Sequence, residues 1–275
     1  MSQPLIDFIH NHPQLFILTG AGCSTSSGIP DYRDKHGQWK RSPPVQHRDF
    51  MTSLLARQRF WARSLIGWPL MAKARPNAVH NSLQQLEQKG YCQQLVTQNV
   101  DRLHQQAGQQ QVIDLHGRSD QVRCMECDQH YDRNHIHQQM ADLNPAFAGL
   151  TAAAAPDGDA DLEGVDFNRF QVTDCELCGG ILKPNVVFFG DNVPKQRVFD
   201  AIDQLQQADG ILVIGSSLMV YSGFRFCKQA QQMGKPIVTL TRGKTRADDI
   251  SSLKLDGEIS DILLPTVELL PKQQY

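Results

Sequence analysis

The sequence predicts an α/β protein: a Rossmann-like, doubly wound parallel sheet with a smaller cysteine-bearing module and a helical flap. Three observations predict it. Short apolar runs recur with helix-like segments between them, several of these runs end directly in a glycine or polar loop, and two stretches, 41–74 and 120–183, break the alternation.

The runs are Leu15–Thr19, Gln94–Thr97, Val112–Leu115, Val186–Phe189, Ile211–Ile214 and Ile237–Leu240, each read as a buried strand. The loops that follow are Thr19-Gly20-Ala21-Gly22, Thr97-Gln98-Asn99, Leu115-His116-Gly117, Ile214-Gly215-Ser216-Ser217 and Leu240-Thr241-Arg242-Gly243. Strand–loop–helix repetition builds a parallel sheet, and ligands of such sheets bind beyond the carboxyl ends of the strands. The polar residues of these loops are therefore expected to line one crevice, in a nucleotide-binding frame made of residues 1–40, 75–119 and 184–275.

Residues 41–74, rich in Arg, Trp and Leu with mixed helical periodicity, predict a helical flap beside that crevice. Residues 120–183 hold an alanine run, Ala152–Ala155, the turn Pro156-Asp157-Gly158-Asp159, and two cysteine pairs, Cys124-Met125-Glu126-Cys127 and Cys175-Glu176-Leu177-Cys178. Each C-x-x-C brings two thiolates within reach of one ion, and four thiolates give the closed tetrahedral shell of a structural zinc site. The alternatives are redox pairs, for which neither lies in a thioredoxin-like context, and free thiols. With Cys23, Cys92 and Cys227 the count is seven, which suits thiols and metal better than a disulfide framework. The expectation is a zinc-binding module with one structural Zn2+ and no open position for catalysis.

At 275 residues, 40% hydrophobic and 20% charged, the chain has the composition of a folded enzyme, not of a disordered segment. A formal net charge of −2 provides no global field to attract nucleic acid or membrane. No apolar run approaches the roughly 20 residues of a membrane span, and Met1–Leu18 has neither secretory nor transit-peptide features. A soluble, cytoplasmic protein is expected, with no nucleic-acid and no membrane partner.

Gly20-Ala21-Gly22-Cys23-Ser24 follows the first strand as a phosphate loop should. Glycines let the backbone approach a pyrophosphate, and a following helix would present its N–H groups to the negative charge. The dinucleotide pattern G-x-G-x-x-G is incomplete, because position 25 is Thr, the next glycine is Gly28, and no acidic residue stands about 20 positions on. A tight structural turn would explain these five residues as well.

The continuation is longer and more specific. Gly20–Arg33 reads G-A-G-C-S-T-S-S-G-I-P-D-Y-R and closely resembles the first signature of the sirtuin family. Thr97–Gly108 resembles the second, Leu115-His116-Gly117 the third, Phe189-Gly190-Asp191 the fourth and Gly215-Ser216-Ser217-Leu218 the fifth, in the family's order. The fragments D-Y-R, A-P-D-G-D, V-V-F-F-G-D and K-T-R-A-D-D are most similar to the class II branch, which includes the animal mitochondrial member and bacterial relatives.

The resemblance implies an NAD-dependent protein lysine deacylase that yields nicotinamide, free lysine and O-acyl-ADP-ribose from acylated-lysine proteins or peptides. It implies the general base at His116, Gln98 at the ribose, Asn99 ordering a catalytic water there, and Asp101 in the nicotinamide pocket. Asp31, Tyr32 and Arg33 would fold over that ribose. Gly20, Ala21, Gly22 and Ser24 would meet the pyrophosphate, and Gly215, Ser216 and Ser217 the adenosine or phosphates. Thr241 would contact the adenine-side ribose, with Gly243 in the same loop and Ile259 near adenine. Val187, Phe188, Phe189 and Gly190 would pair with the substrate backbone by strand addition.

Read from the residues alone, a neutral imidazole near its usual pKa of about 6.5 suits His116 to take a proton from a hydroxyl, although a histidine can simply cap a strand. Asn99 or Asp101 could equally cap a helix, and His104 reads as structural. Three residues depart from the family's usual choice: Ser216 for Thr, Asp191 for Glu and Thr241 for Asn, the last putting affinity at that ribose in doubt. The acyl pocket is expected along the flap, where Trp39, Trp61 and Trp68 suit core packing equally well. Two other functions stay open: transfer of ADP-ribose to a protein, and a non-catalytic NAD-sensing zinc protein or DNA-binding regulator, which would want a basic stripe that the sequence lacks.

Overall fold

In chain order, the strands of the computed structural model are β1 (Leu15–Thr19), β2 (Cys92–Thr97), β3 (Val112–Asp114), β4 (Gly117–Cys124), β5 (His130–Asp132), β6 (Ala154–Ala155), β7 (Asp159–Ala160), β8 (Leu182–Val186), β9 (Gly210–Ile214), β10 (Ile237–Leu240) and β11 (Leu253–Leu255). The structure describes residues 2–40, 44–162 and 164–273, without the side chain of Asp157; positions 41–43 of the flap, and residues 1, 163, 274 and 275 of the other expected spans, lie outside it.

Six strands form one sheet in the order β11-β10-β9-β1-β2-β3, and every pairing in it is parallel. β1, β9 and β10 are buried at every position, as apolar strands covered by helices on both faces must be. Along β1, Leu15 and Ile17 enter one core with Leu5, Leu83 and Leu263, while Phe16 and Leu18 enter the other with Leu205, Val213 and Phe226. This is the two-residue alternation of a strand. The chain winds from β1 to β2 and β3, then returns to the opposite side of β1 for β9, β10 and β11. Strand order therefore reverses at β1, and a crevice opens beyond its carboxyl end.

The expected strand Val186–Phe189 is corrected. β8 ends at Val186 and belongs to a separate antiparallel sheet, β5-β4-β8, in which Leu182 pairs with Cys124 and Val186 with Gly117. Pro184 cannot donate to a ladder on both sides, which suits an edge strand rather than the middle of a parallel sheet. Beyond β8, Phe189 makes a single bridge to Gln46, and the Asp191 N–H bonds back to the Phe188 carbonyl at 3.0 Å, so the chain turns instead of continuing as a strand. β11, missed in the sequence, is a three-residue edge strand with an exposed Lys254 between Leu253 and Leu255, too short to show as an apolar run.

The flap contains the helices His47–Thr52 and Leu54–Lys73. The longer one starts where Ser53 accepts from the Ala56 N–H, at 3.2 Å. Trp61 and Leu65 share a core with Val122, Ile136, Phe147 and Leu182 of the cysteine-bearing module, so flap and module pack as one body. Arg63 Nε donates to Asp159 Oδ1 and to the Ala160 carbonyl, both at 2.9 Å. Facing this hairpin is Gly67, where an added Cβ would lie 2.2 Å from the Asp159 carbonyl oxygen. Gly67→Ala should therefore destabilise the protein by about 2–3 kcal/mol, despite the roughly 1 kcal/mol that alanine gains in a helix interior. Thermal melting followed by circular dichroism checks this; an unchanged or raised midpoint would mean that the β6–β7 hairpin yields freely.

Candidate active site

The loops after β1 and β9 touch. The Gly20 N–H donates to the Ile214 carbonyl (3.1 Å) and the Gly22 N–H to the Gly215 carbonyl (2.8 Å). A Cβ at Gly20 would stand 2.7 Å from Ser216 Cβ, and one at Gly22 2.9 Å from Gly215 Cα, so both positions require glycine. The helix expected after this loop is not there. Two short 3-10 turns, Ala21–Cys23 and Thr25–Ser27, occupy its place and bring Ser24 into the crevice.

Asn99 and Asp101, beyond the end of β2, are buried. Asn99 Nδ2 donates to the Gly20 carbonyl and to Ser24 Oγ, both at 3.1 Å. The Ser24 hydroxyl in turn donates to Asp101 Oδ2 at 2.6 Å. Asp101 Oδ1 accepts from the Leu103 N–H at 2.9 Å, so this carboxylate also tethers the start of a short helix. Burial raises its pKa above the usual carboxylate range, opposed by the Ser24 and Leu103 bonds. Behind these groups lie His80 and His104, rings 4.9 Å apart. Burial pushes His80 down to about 4 and His104 well below the ordinary imidazole value, so both are neutral structural groups.

His116 Nδ1 lies 3.0 Å from the Gln98 carbonyl oxygen and Nε2 2.8 Å from Ser222 Oγ. A carbonyl can only accept, so the neutral ring carries its proton on Nδ1 and leaves the Nε2 lone pair to accept from Ser222. Burial is the main cause that lowers the His116 pKa to about 4; Arg197 and Arg225 add to it and the Gln98 carbonyl opposes it. The ring is thus unprotonated at neutral pH. Gln98 Nε2 donates to Ser216 Oγ at 2.8 Å, which joins the loops after β2 and β9.

One cavity of about 840 Å³ gathers nearly all the residues expected in the crevice: Gly20, Ala21, Gly22, Ser24, Asp31, Tyr32, Arg33, Gln98, Asn99, Asp101, His116, Gly215, Ser216, Ser217, Thr241 and Ile259, with Val187, Phe188, Phe189 and Gly190 on its far wall. Gly243 is the exception. It is not part of the wall; its positive φ of 79° and a contact that would put a Cβ 2.2 Å from the Lys35 carbonyl oxygen make it a close-approach residue for the loop at Lys35. Sequence reasoning missed Ser222 and Arg225, which also line the cavity. They lie on the helix Tyr221–Gln232, one turn beyond the loop after β9, and only the fold reveals that this turn faces His116.

A second cavity of about 710 Å³ lies against the flap helix, with Arg59, Phe60, Arg63, Ser64 and Trp68 on its wall. It shares Asp31, Tyr32, Trp39 and residues 186–189 with the first. Tyr32, Trp39 and Phe189 meet edge to face at 5.5–6.0 Å between ring centres, and the Arg33 guanidinium covers Trp39 at 3.9 Å. Trp39 and Trp68 thus border the cavity, while Trp61 is core.

The four cysteines of the module converge. Cys124, Cys127, Cys175 and Cys178 have sulfurs within 4.8 Å of one another, with Cys124–Cys178 at 3.5 Å and Cys127–Cys175 at 3.7 Å. Four sulfurs at such spacing fit a tetrahedral ion with thiolate ligands. Tyr131 Oη lies 3.0 Å from Cys175 Sγ, a hydrogen bond that would orient a thiolate ligand.

The Sir2 family matches this chain over residues 20–222. An NAD-dependent protein deacetylase of Xanthomonas axonopodis pv. citri is 57% identical over 94% of this chain and 88% of its own length. The NAD-dependent protein deacylase Sirt4 of Drosophila melanogaster is 42% identical over 94% of this chain and 84% of its own. A solved complex of a Sir2 with a p53 peptide and NAD+ superposes with a TM-score of 0.77 at 30% identity, covering 98% of both chains.

Proposed function

The chain belongs to the Sir2 family, and from that premise we propose how its cleft removes acyl groups from protein lysines at the expense of NAD. It is an NAD-dependent protein deacetylase; the acyl group passes to ADP-ribose and nicotinamide leaves. The observation that carries the mechanism is that His116, a neutral ring whose Nε2 accepts from Ser222, lines the cavity where the loops after β1, β2 and β9 converge.

Bound there, NAD supplies a ribose activated by its nicotinamide leaving group. Gly20, Ala21, Gly22, Ser24, Gly215, Ser216 and Ser217 would hold its phosphates and adenosine half, with Thr241 and Ile259 at the far end. Gln98 and Asn99 would orient the reacting ribose, Asp101 the carboxamide, and His116 Nε2 would take the proton of a ribose hydroxyl. Asp31, Tyr32 and Arg33, packed on Trp39 and Phe189, would exclude water. Val187–Gly190, on the cavity wall, would pair with a peptide strand, and the second cavity, across the shared wall, would receive the acylated side chain. We assign one structural zinc to the four cysteines and none to catalysis.

We also propose the division into a nucleotide frame (1–40, 75–119, 184–275), a flap (41–74) and a zinc module (120–183), and a cytoplasmic location. Among the described residues no helix is long and apolar enough to cross a membrane.

Incubation with NAD and an acetyl-lysine peptide should give equal amounts of nicotinamide, O-acetyl-ADP-ribose and free-lysine peptide by mass spectrometry. ADP-ribosylated protein without deacetylated peptide would instead establish ADP-ribosyl transfer.

A further inference from the structure

We propose that Ser222 and Arg225, one turn apart on the helix Tyr221–Gln232, are positioning residues for His116: the hydroxyl holds the imidazole Nε2 in place at the wall of the cosubstrate cavity, and the guanidinium opposes a second proton on the ring. The inference rests on the reading of His116 as general base and adds the groups that set its direction and proton state.

The geometry begins with the ring's two ends. Nδ1–H is committed to the Gln98 carbonyl, and Nε2 accepts from Ser222 at 2.8 Å, so the imidazole is pinned along its long axis and cannot rotate out of the cavity without losing both bonds. The helix turn that carries Ser222 is seated on Gln98 itself. At Gly223 an added Cβ would lie 2.4 Å from Gln98 Oε1, so a larger residue there would displace the Gln98 amide. One residue thus receives the ring's proton through its backbone and the helix through its side chain. A ribose hydroxyl entering the cavity would take the place of the Ser222 hydroxyl as donor to Nε2, on a ring that is already held in position.

Arg225 stands three residues on, on the same helical face as Ser222, and also lines the cavity. Its Nε is buried with no hydrogen-bond partner, and Tyr221 offers its ring 5.5 Å away. The charged groups acting on His116 are Arg225 from this helix and Arg197 from the helix Lys195–Gln207, whose Nη1 donates to the Leu115 carbonyl at 3.2 Å. The Gln98 carbonyl stands against them, while the Ser222 hydroxyl, as a donor to Nε2, favours the neutral ring. Two cations beside a buried ring make imidazolium costly.

The test uses the full-length protein without cosubstrate, labelled with 15N-histidine, with the His116 resonances identified by their loss in His116→Ala. The parent should show the Nδ1–H tautomer and a titration midpoint well below that of a free imidazole. Arg225→Gln should raise that midpoint, and the acid limb of kcat/KM should move with it, whereas Arg225→Lys should leave both in place. Ser222→Ala should shift the Nε2 resonance and lower kcat about tenfold with the peptide KM unchanged, the loss expected for one hydrogen bond. Ser222→Thr should restore both. A midpoint unmoved in Arg225→Gln, or Ser222→Ala and Ser222→Thr equally impaired, overturns the inference. Should His116→Ala turn over normally, the general-base reading falls whatever the titrations show; should it be inactive while the titrations stay put, only this inference falls.

Discussion

His116→Ala is expected to lower turnover of an acyl-lysine peptide by about a thousandfold, within the 10²–10⁴ span usual for a lost general base, while the thermal midpoint stays near that of the parent. The ring is not a keystone of either core, and alanine leaves Gln98 and Ser222 able to bond water. The proton state adds a second expectation. Because the folded pKa is lowered to about 4, the ring is an unprotonated base throughout the pH range above that value. The rate of kcat/KM against pH should therefore stay level on the acid side of neutrality and fall only as pH nears the lowered value. A limb centred near pH 6.5, the free-imidazole value, would show that His116 is not the group being titrated or is not buried in the working enzyme.

Cys175→Ser, or prolonged chelation of the parent, should remove bound zinc and unfold the module. Structural zinc contributes on the order of 10–16 kcal/mol in small metal-folded units, as much as or more than the total stability of a typical domain. Here the loss reaches further than the module. Cys124 and Cys175 sit in the core shared with the flap, and β8 pairs with β4 from Leu182–Cys124 to Val186–Gly117. Next to that last pair the Val187 N–H donates to the His116 carbonyl at 2.8 Å. The cysteine cluster, β8 and His116 are thus links of one frame, and deacetylation should disappear along with any zinc bound there. Elemental analysis, circular dichroism and a peptide assay on the same samples check it. A folded, active Cys175→Ser protein with a full equivalent of zinc would rule out four-thiolate coordination.

Much of the crevice was legible because its residues end apolar runs. The strand ends at Thr19, Thr97 and Ile214 were visible as changes from buried aliphatics to Gly, Gln or Ser, and parallel sheets gather such ends by construction. What stayed hidden depended on partners distant in sequence. Val186–Phe189 looks like any buried strand; only the pairing of Leu182 with Cys124 assigns its first part to another sheet and frees the rest. Gly243 shares a loop with Thr241, yet its reason for being glycine is the approach of Lys35. Ser222 and Arg225 carry no signal in a helix that otherwise reads as amphipathic. The helix expected after Gly22 gave way to 3-10 turns, since Gly28, at φ 84°, ends that segment early and Pro30 follows.

The cluster of uncharged imidazoles behind the crevice ties the fold to acidity. Unfolded, each would hold a proton below about pH 6.5; folded, His80 refuses one until about pH 4, and its neighbour His104 resists it too. Above pH 6.5 the difference has no effect. As pH falls through that window, unfolding becomes coupled to proton uptake, and His80 alone withdraws on the order of 3 kcal/mol by the time its folded pKa is reached. Because the pair contacts Ser24 and Thr19, the segment bearing the first glycine loop is where acidification strains the native state.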